Sequence, residues 1–166
     1  MIKKIVGVVL LGTVLFAKVT NIPATTTFVE NRKMKIIDIR TKGEWTQMGI
    51  IKDAYPITFF DERYGYDTKS FLEELNTVVK KDEKFAIICN TGSRTKLISN
   101  FLGNKLDYNI VNLTGGMMSL LKEGFKPEVY NKSLQQLPVK LKHPSPKMLK
   151  KEAELKTPIT ETNSTK

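Results

Sequence analysis

One stretch constrains the fold of this chain more than any other. Phe85-Ala86-Ile87-Ile88 is a short apolar run, and the chain's only cysteine, Cys89, ends it. Asn90, Thr91, Gly92 and Ser93 follow, then Arg94 and a helical pattern. A run of that length bounded by turn residues reads as a buried strand. The thiol therefore stands at a strand end, in a turn that opens a helix. A helix start lowers the pKa of a thiol, and its free N–H groups attract anions. The sequence places a reactive sulfur inside an anion site.

Segments of strand and helix type alternate on either side. Lys35-Ile36-Ile37-Asp38-Ile39 is β-branched and predicts a buried strand. Thr41 to Gln47 predicts a short helix, with Thr41 as N-cap and Glu44 at capping-box spacing. Ala54-Tyr55-Pro56-Ile57 predicts a short strand, and its proline argues for an edge or terminal position. Residues 69–80 carry Phe71, Leu72, Leu75, Val78 and Val79 as a helical stripe, with Thr68 as the expected cap. Leu97, Ile98, Phe101 and Leu102 mark a helix over residues 94–106. Residues 109–112 form a further strand, and Gly115-Gly116 opens a last helix that Gly124 stops. This order predicts an α/β fold of three layers, a central parallel sheet of about five strands flanked by helices. In such sheets ligands bind where strands end and helices begin. Cys89, Asp38 and residues 114–116 fall at such ends.

The chain ends are of a different character. The 166 residues suit one domain. The formal charge of +10 sits mainly at the C-terminal end, where residues 126–166 hold nine lysines against four glutamates. No basic stripe with interleaved aromatics marks the middle of the chain, so no nucleic-acid partner is expected. Lys3 and Lys4, the apolar residues 5–16 and Ala17 read as a secretory signal. The apolar run is shorter than the about 20 residues of a bilayer span, so stable membrane insertion is not expected. An uncleaved anchor is the alternative. The expected organisation is a signal at 1–17, a domain at 18–130 and a basic, disordered tail at 131–166, in a periplasmic protein. One cysteine makes no internal disulfide, and in an oxidising compartment a lone thiol is buried or used.

A sulfur nucleophile needs the thiolate, which free cysteine at neutral pH supplies poorly. The helix beginning near Arg94 offers unpaired N–H groups and a partial positive charge. Gly92 permits the positive φ by which loop N–H groups converge on an anion. Arg94 adds a permanent charge and a planar fork suited to oxyanions. The only histidine, His143, lies in the tail, which argues against a Cys–His hydrolase. No metal ligand set and no cofactor are expected.

Five motifs in order carry a family likeness. They are Ile37-Asp38-Ile39-Arg40, Glu44-Trp45, Gly49-Ile50-Ile51-Lys52-Asp53-Ala54, the 89–94 loop, and Asn112-Leu113-Thr114-Gly115-Gly116. Together, over roughly residues 33–125, they resemble the rhodanese family of sulfurtransferases. The resemblance implies that Cys89 takes a sulfane sulfur from a small sulfur-containing anion such as thiosulfate or polysulfide. Cys89 would hold it as a persulfide and pass it to a thiol or cyanide-like acceptor. Asn90, Thr91, Gly92, Ser93 and Arg94 would then form the persulfide-binding loop, with Arg94 helping to bind the donor. Asp38 and Arg40 are supporting candidates, and their plainer reading is a carboxylate and an arginine that fix loop positions. The chain departs from the family pattern at Asp53, which replaces a glycine, and in the absence of a histidine from the second motif. One extra residue also separates Trp45 from Gly49. Phosphatases of similar loop logic place one more residue between cysteine and arginine, so the spacing here suits sulfur and not phosphate. A non-catalytic sulfur carrier or an interaction module is the alternative on the same fold.

Overall fold

The structure is a computed structural model that describes residues 18–131. The expected signal, the tail beyond Asn131 and His143 lie outside the described residues. Five strands form one sheet: β1 (Val19–Pro23), β2 (Ile36–Asp38), β3 (Tyr55–Pro56), β4 (Lys84–Ile88) and β5 (Asn109–Thr114). Their order is β1-β5-β4-β2-β3, and every neighbouring pair is parallel. The helices are α1 (Thr26–Asn31), α2 (Lys42–Met48), α3 (Thr68–Val78), α4 (Ser93–Asn100) and α5 (Gly116–Lys122). A π-helical turn, Phe101–Lys105, continues α4. No helix among the described residues is long and apolar enough to cross a membrane.

The pleat of β4 explains the three layers. Successive strand residues point to opposite faces. Phe85, Ile87 and Cys89 join one core cluster with Phe71 and Leu75 of α3 and Ile98 of α4. Ala86 and Ile88 join the other, with Val29 of α1 and Met117 and Leu120 of α5. Met48 at the end of α2 packs against this second cluster. The Trp45 ring meets Tyr130 on the same side, centroids 5.4 Å apart. The α/β fold with a central parallel sheet, expected from the alternation, is the fold observed. Pro56 lies on the edge strand, where its missing N–H costs no ladder bond.

Three details differ from the sequence reading. Residues 19–31 form a strand and a helix that the apolar pattern does not announce. In β1 only Val19, Ile22 and Pro23 are apolar, and the strand is half exposed at the sheet edge. It forms because β5 offers it a backbone ladder from Val19–Ile110 to Pro23–Thr114. For the same reason β5 runs two residues beyond Asn112. The cap of α3 is Asp67 and not Thr68. Its carboxylate accepts the Lys69 and Ser70 N–H groups at 3.0 and 3.1 Å and the Ser70 hydroxyl at 2.7 Å. An anion reaching two free N–H groups of the first turn caps better than a hydroxyl there.

Candidate active site

The chain leaves the two adjacent strands β2 and β4 in opposite directions. After β2 it enters α2, on the Ile88 face of the sheet; after β4 it enters α4, on the Cys89 face. A crevice opens at the carboxyl ends of strands wherever neighbours diverge in this way. Cys89 stands at this divergence, fully buried.

The loop is shaped by backbone constraints. Gly92 adopts φ 90°, in the left-handed region, and is the N-cap of α4. That conformation brings its N–H to 3.2 Å from Cys89 Sγ, which accepts it. A Cβ at Gly92 would sit 2.8 Å from the Gly115 nitrogen, so the position excludes a side chain twice over. The start of α5 holds the loop from behind. Met117 and Met118 donate their N–H groups to the Cys89 and Asn90 carbonyls, each at 2.9 Å. Gly116, at φ 59°, is pressed so close to these carbonyls that a Cβ would lie 2.5 Å from the Asn90 oxygen. The expected glycine pair is thus a clamp on the cysteine loop.

Thr95 is a neighbour of the sulfur that the sequence reading omitted. Its Oγ1 lies 3.7 Å from Sγ and donates to the Gly92 carbonyl at 3.1 Å. Thr91 and Ser93 are exposed, their hydroxyls 3.1 Å apart. Asn90 is half-buried, and its side-chain oxygen has no hydrogen-bond partner. The outer side of the loop, from Thr91 to Ser93, lines an open cleft of about 430 Å³ with Lys96, Asn100 and Asn112. A larger hollow of about 690 Å³ lies at the other end of the sheet, beside Lys35 and Glu83, which precede β2 and β4. Cys89 does not line it.

Arg94 points its fork at a carboxylate. Nη1 and Nη2 donate to Glu44 Oε2 and Oε1 at 2.8 and 2.5 Å, across the divergence between α4 and α2. The Glu44 hydrogen bonds raise the Arg94 pKa against the opposing effect of burial, and the charges of Glu44 and of a Cys89 thiolate add to the rise. Glu44 is held below the usual carboxylate range. Burial acts to raise it, and the Arg94 fork, the Thr41 N–H and the charges of Arg94 and Arg40 together outweigh burial. The capping box expected at Thr41 is present, with Glu44 Oε2 accepting the Thr41 N–H at 2.9 Å. Glu44 therefore does two things at once.

Asp38 and Arg40 form a fully buried ion pair. Arg40 Nε and Nη2 donate to the Asp38 carboxylate at 2.9 and 2.6 Å, and Nη2 also donates to the Gly49 carbonyl at 2.7 Å. The Arg40 carbonyl accepts the Thr58 hydroxyl at 2.9 Å. The pair binds three segments together at the ends of β2 and β3. Both side chains are fully buried.

A family model, the rhodanese-like domain, matches residues 26–123 of the chain. Solved structures also resemble it. A rhodanese-related protein from Thermoplasma volcanium is 25% identical, covering 62% of this chain and 93% of its own, with a TM-score of 0.43. A rhodanese-like domain protein from Staphylococcus aureus is 22% identical, covering 64% and 96%, with a TM-score of 0.45. SSP1007 from Staphylococcus saprophyticus subsp. saprophyticus is 30% identical, covering 57% and 88%, with a TM-score of 0.43. No curated protein matches. With a match that spans most of the chain, from α1 to the end of α5, the protein belongs to the rhodanese-like domain family.

Proposed function

We propose that the chain is a sulfurtransferase that carries sulfane sulfur on Cys89. The observation that supports this best is the Gly92 N–H aimed at Cys89 Sγ from a helix start that Gly116 and Met117 hold in place. An N–H fixed in advance against a sulfur stabilises an anion there without reorganising. In the first half-reaction the Cys89 thiolate attacks the outer sulfur of the donor. A new S–S bond forms, the donor's own bond to that sulfur breaks, and the leaving group takes the electron pair. In the second, a thiol or cyanide-like acceptor attacks the outer sulfur of the Cys89 persulfide, and the thiolate returns. Electron pairs balance in each half, so no cofactor is needed.

A second reading keeps the first half-reaction alone, as a sulfur carrier. Cys89 is completely buried, so donor and acceptor each reach the sulfur only after the loop shifts. Loading needs one such opening and turnover two, which favours this reading. One pair of measurements decides. The protein is treated with polysulfide or thiosulfate and its intact mass is read, then steady-state transfer to cyanide is followed. A gain of one sulfur that is absent from Cys89→Ser, together with turnover, supports the sulfurtransferase. Loading without turnover supports the carrier. A thiol that alkylates readily yet never gains sulfur overturns both.

A further inference from the structure

The charge of each cation beside Cys89 is offset by a carboxylate, although the Arg94 guanidinium also interacts with Cys89. Arg94 gives both arms of its fork to Glu44 at 2.8 and 2.5 Å, and both side chains are only 21% exposed. Arg40 is buried against Asp38. Lys96 lines the cleft on the outer face of the loop, exposed, where solvent and salt screen its charge. A sulfane donor with an oxyanion end would need a fork of its own, because bidentate guanidinium binding is the strong form of that contact. To take the Nη1–Nη2 face of Arg94 it would have to displace Glu44 and leave a half-buried carboxylate unpaired beside a second negative charge. Both consequences are costly.

We propose that Glu44 is the specificity-determining residue of this site. By holding the Arg94 fork it fits the site to a weakly charged sulfane donor, an alkyl hydropersulfide, and against the thiosulfate dianion. The inference rests on the sulfurtransferase reading of Cys89. With a hydropersulfide, RS–SH, the Cys89 thiolate bonds to the outer sulfur and the RS–S bond breaks. RS⁻ leaves with the electron pair and takes a proton from solvent, and Cys89–S–SH remains. In this protonated form one negative charge enters the reaction and one leaves, and with the ionised donor, RS–S⁻, two enter and two leave. With thiosulfate, the thiolate and the dianion bring three charges together, and sulfite leaves with two of them. The Gly92 N–H and a guanidinium whose charge is already balanced can serve the first reaction, whereas the second gains from an unbalanced cation, and Glu44 offsets the charge of Arg94.

The test is the rate at which Cys89 gains one sulfur, read by rapid quenching and intact mass. Thiosulfate and cysteine hydropersulfide are compared as donors in the wild-type chain, in Glu44→Gln and in Glu44→Ala. Glutamine keeps the capping box and removes the charge. The wild type is expected to load at least about tenfold faster from the hydropersulfide. In both variants the ratio of thiosulfate to hydropersulfide loading rises by about tenfold, and the half-saturating thiosulfate concentration falls. Equal or faster loading of the wild type from thiosulfate overturns the proposal, as does a ratio unchanged by both variants. If neither donor leaves sulfur on wild-type Cys89, the sulfurtransferase reading itself falls.

Discussion

At the residue scale, single atoms decide how the loop is held. Gly92 and Gly116 each combine a positive φ with a backbone neighbour where a Cβ would sit. Asp53 shows the converse. It has φ 55° at the position where the family pattern carries a glycine. A non-glycine residue in that region is strained, aspartate less than most. Asp53→Gly is therefore expected to stabilise the domain by about 0.5–1 kcal/mol, read as a rise in the midpoint of urea unfolding. An unchanged or lower midpoint would mean that the carboxylate's interaction with Arg32 offsets the strain. Nearby, the buried Asp38–Arg40 pair illustrates how a charged residue in a motif can be structural. Removing one partner of such a pair costs about 3–5 kcal/mol, because the other is left charged in a dry interior.

At the scale of elements, α2 and α4 are joined across the divergence of β2 and β4 by the Glu44–Arg94 contact. Its contribution depends on pH with a definite sign. The folded Glu44 titrates below its ordinary range, so the stabilisation is fully present above the unfolded value and is lost as pH falls through the folded one. The pair is partly exposed, and bidentate pairs of this kind contribute about 0.5–1 kcal/mol. Glu44→Gln should therefore be less stable than the wild type near neutrality. The gap should close below about pH 4, in urea titrations followed by the fluorescence of Trp45. A gap that does not change with pH would show that the carboxylate acts through packing or capping alone.

At the scale of the whole molecule, β1 protects the sheet. It covers the edge of β5, whose residues Val111 and Leu113 are fully buried. An uncovered parallel edge invites pairing between molecules. A chain that starts at Ala24 should lose about 2 kcal/mol or more relative to one that starts at Lys18, and should associate as its concentration rises. Urea unfolding and light scattering measure the two effects. Equal stability would show β1 to be an ornament on a sheet complete without it. The same topology locates the candidate site, since neighbouring strands diverge at β2 and β4 and the cysteine follows one of them.

Much of this was legible in the residues themselves. The apolar run at 85–88 and the helical spacing of Ile98 and Leu102, both buried, determine strand, loop and helix around Cys89, because burial periodicity is local, although Leu97 of the same stripe is exposed. The Thr41–Glu44 capping box and the positive φ at Gly92 are local too, and both are present. Tertiary structure alone decided the rest. The weakly apolar segment from Val19 to Pro23 becomes a strand only because β5 offers its free edge, and a backbone ladder leaves no side-chain pattern to read. Both oxygens of the Glu44 carboxylate also meet an arginine 50 residues away. Spacing within a helix identifies a cap, but which distant cation shares that cap depends on how two helices leave two neighbouring strands.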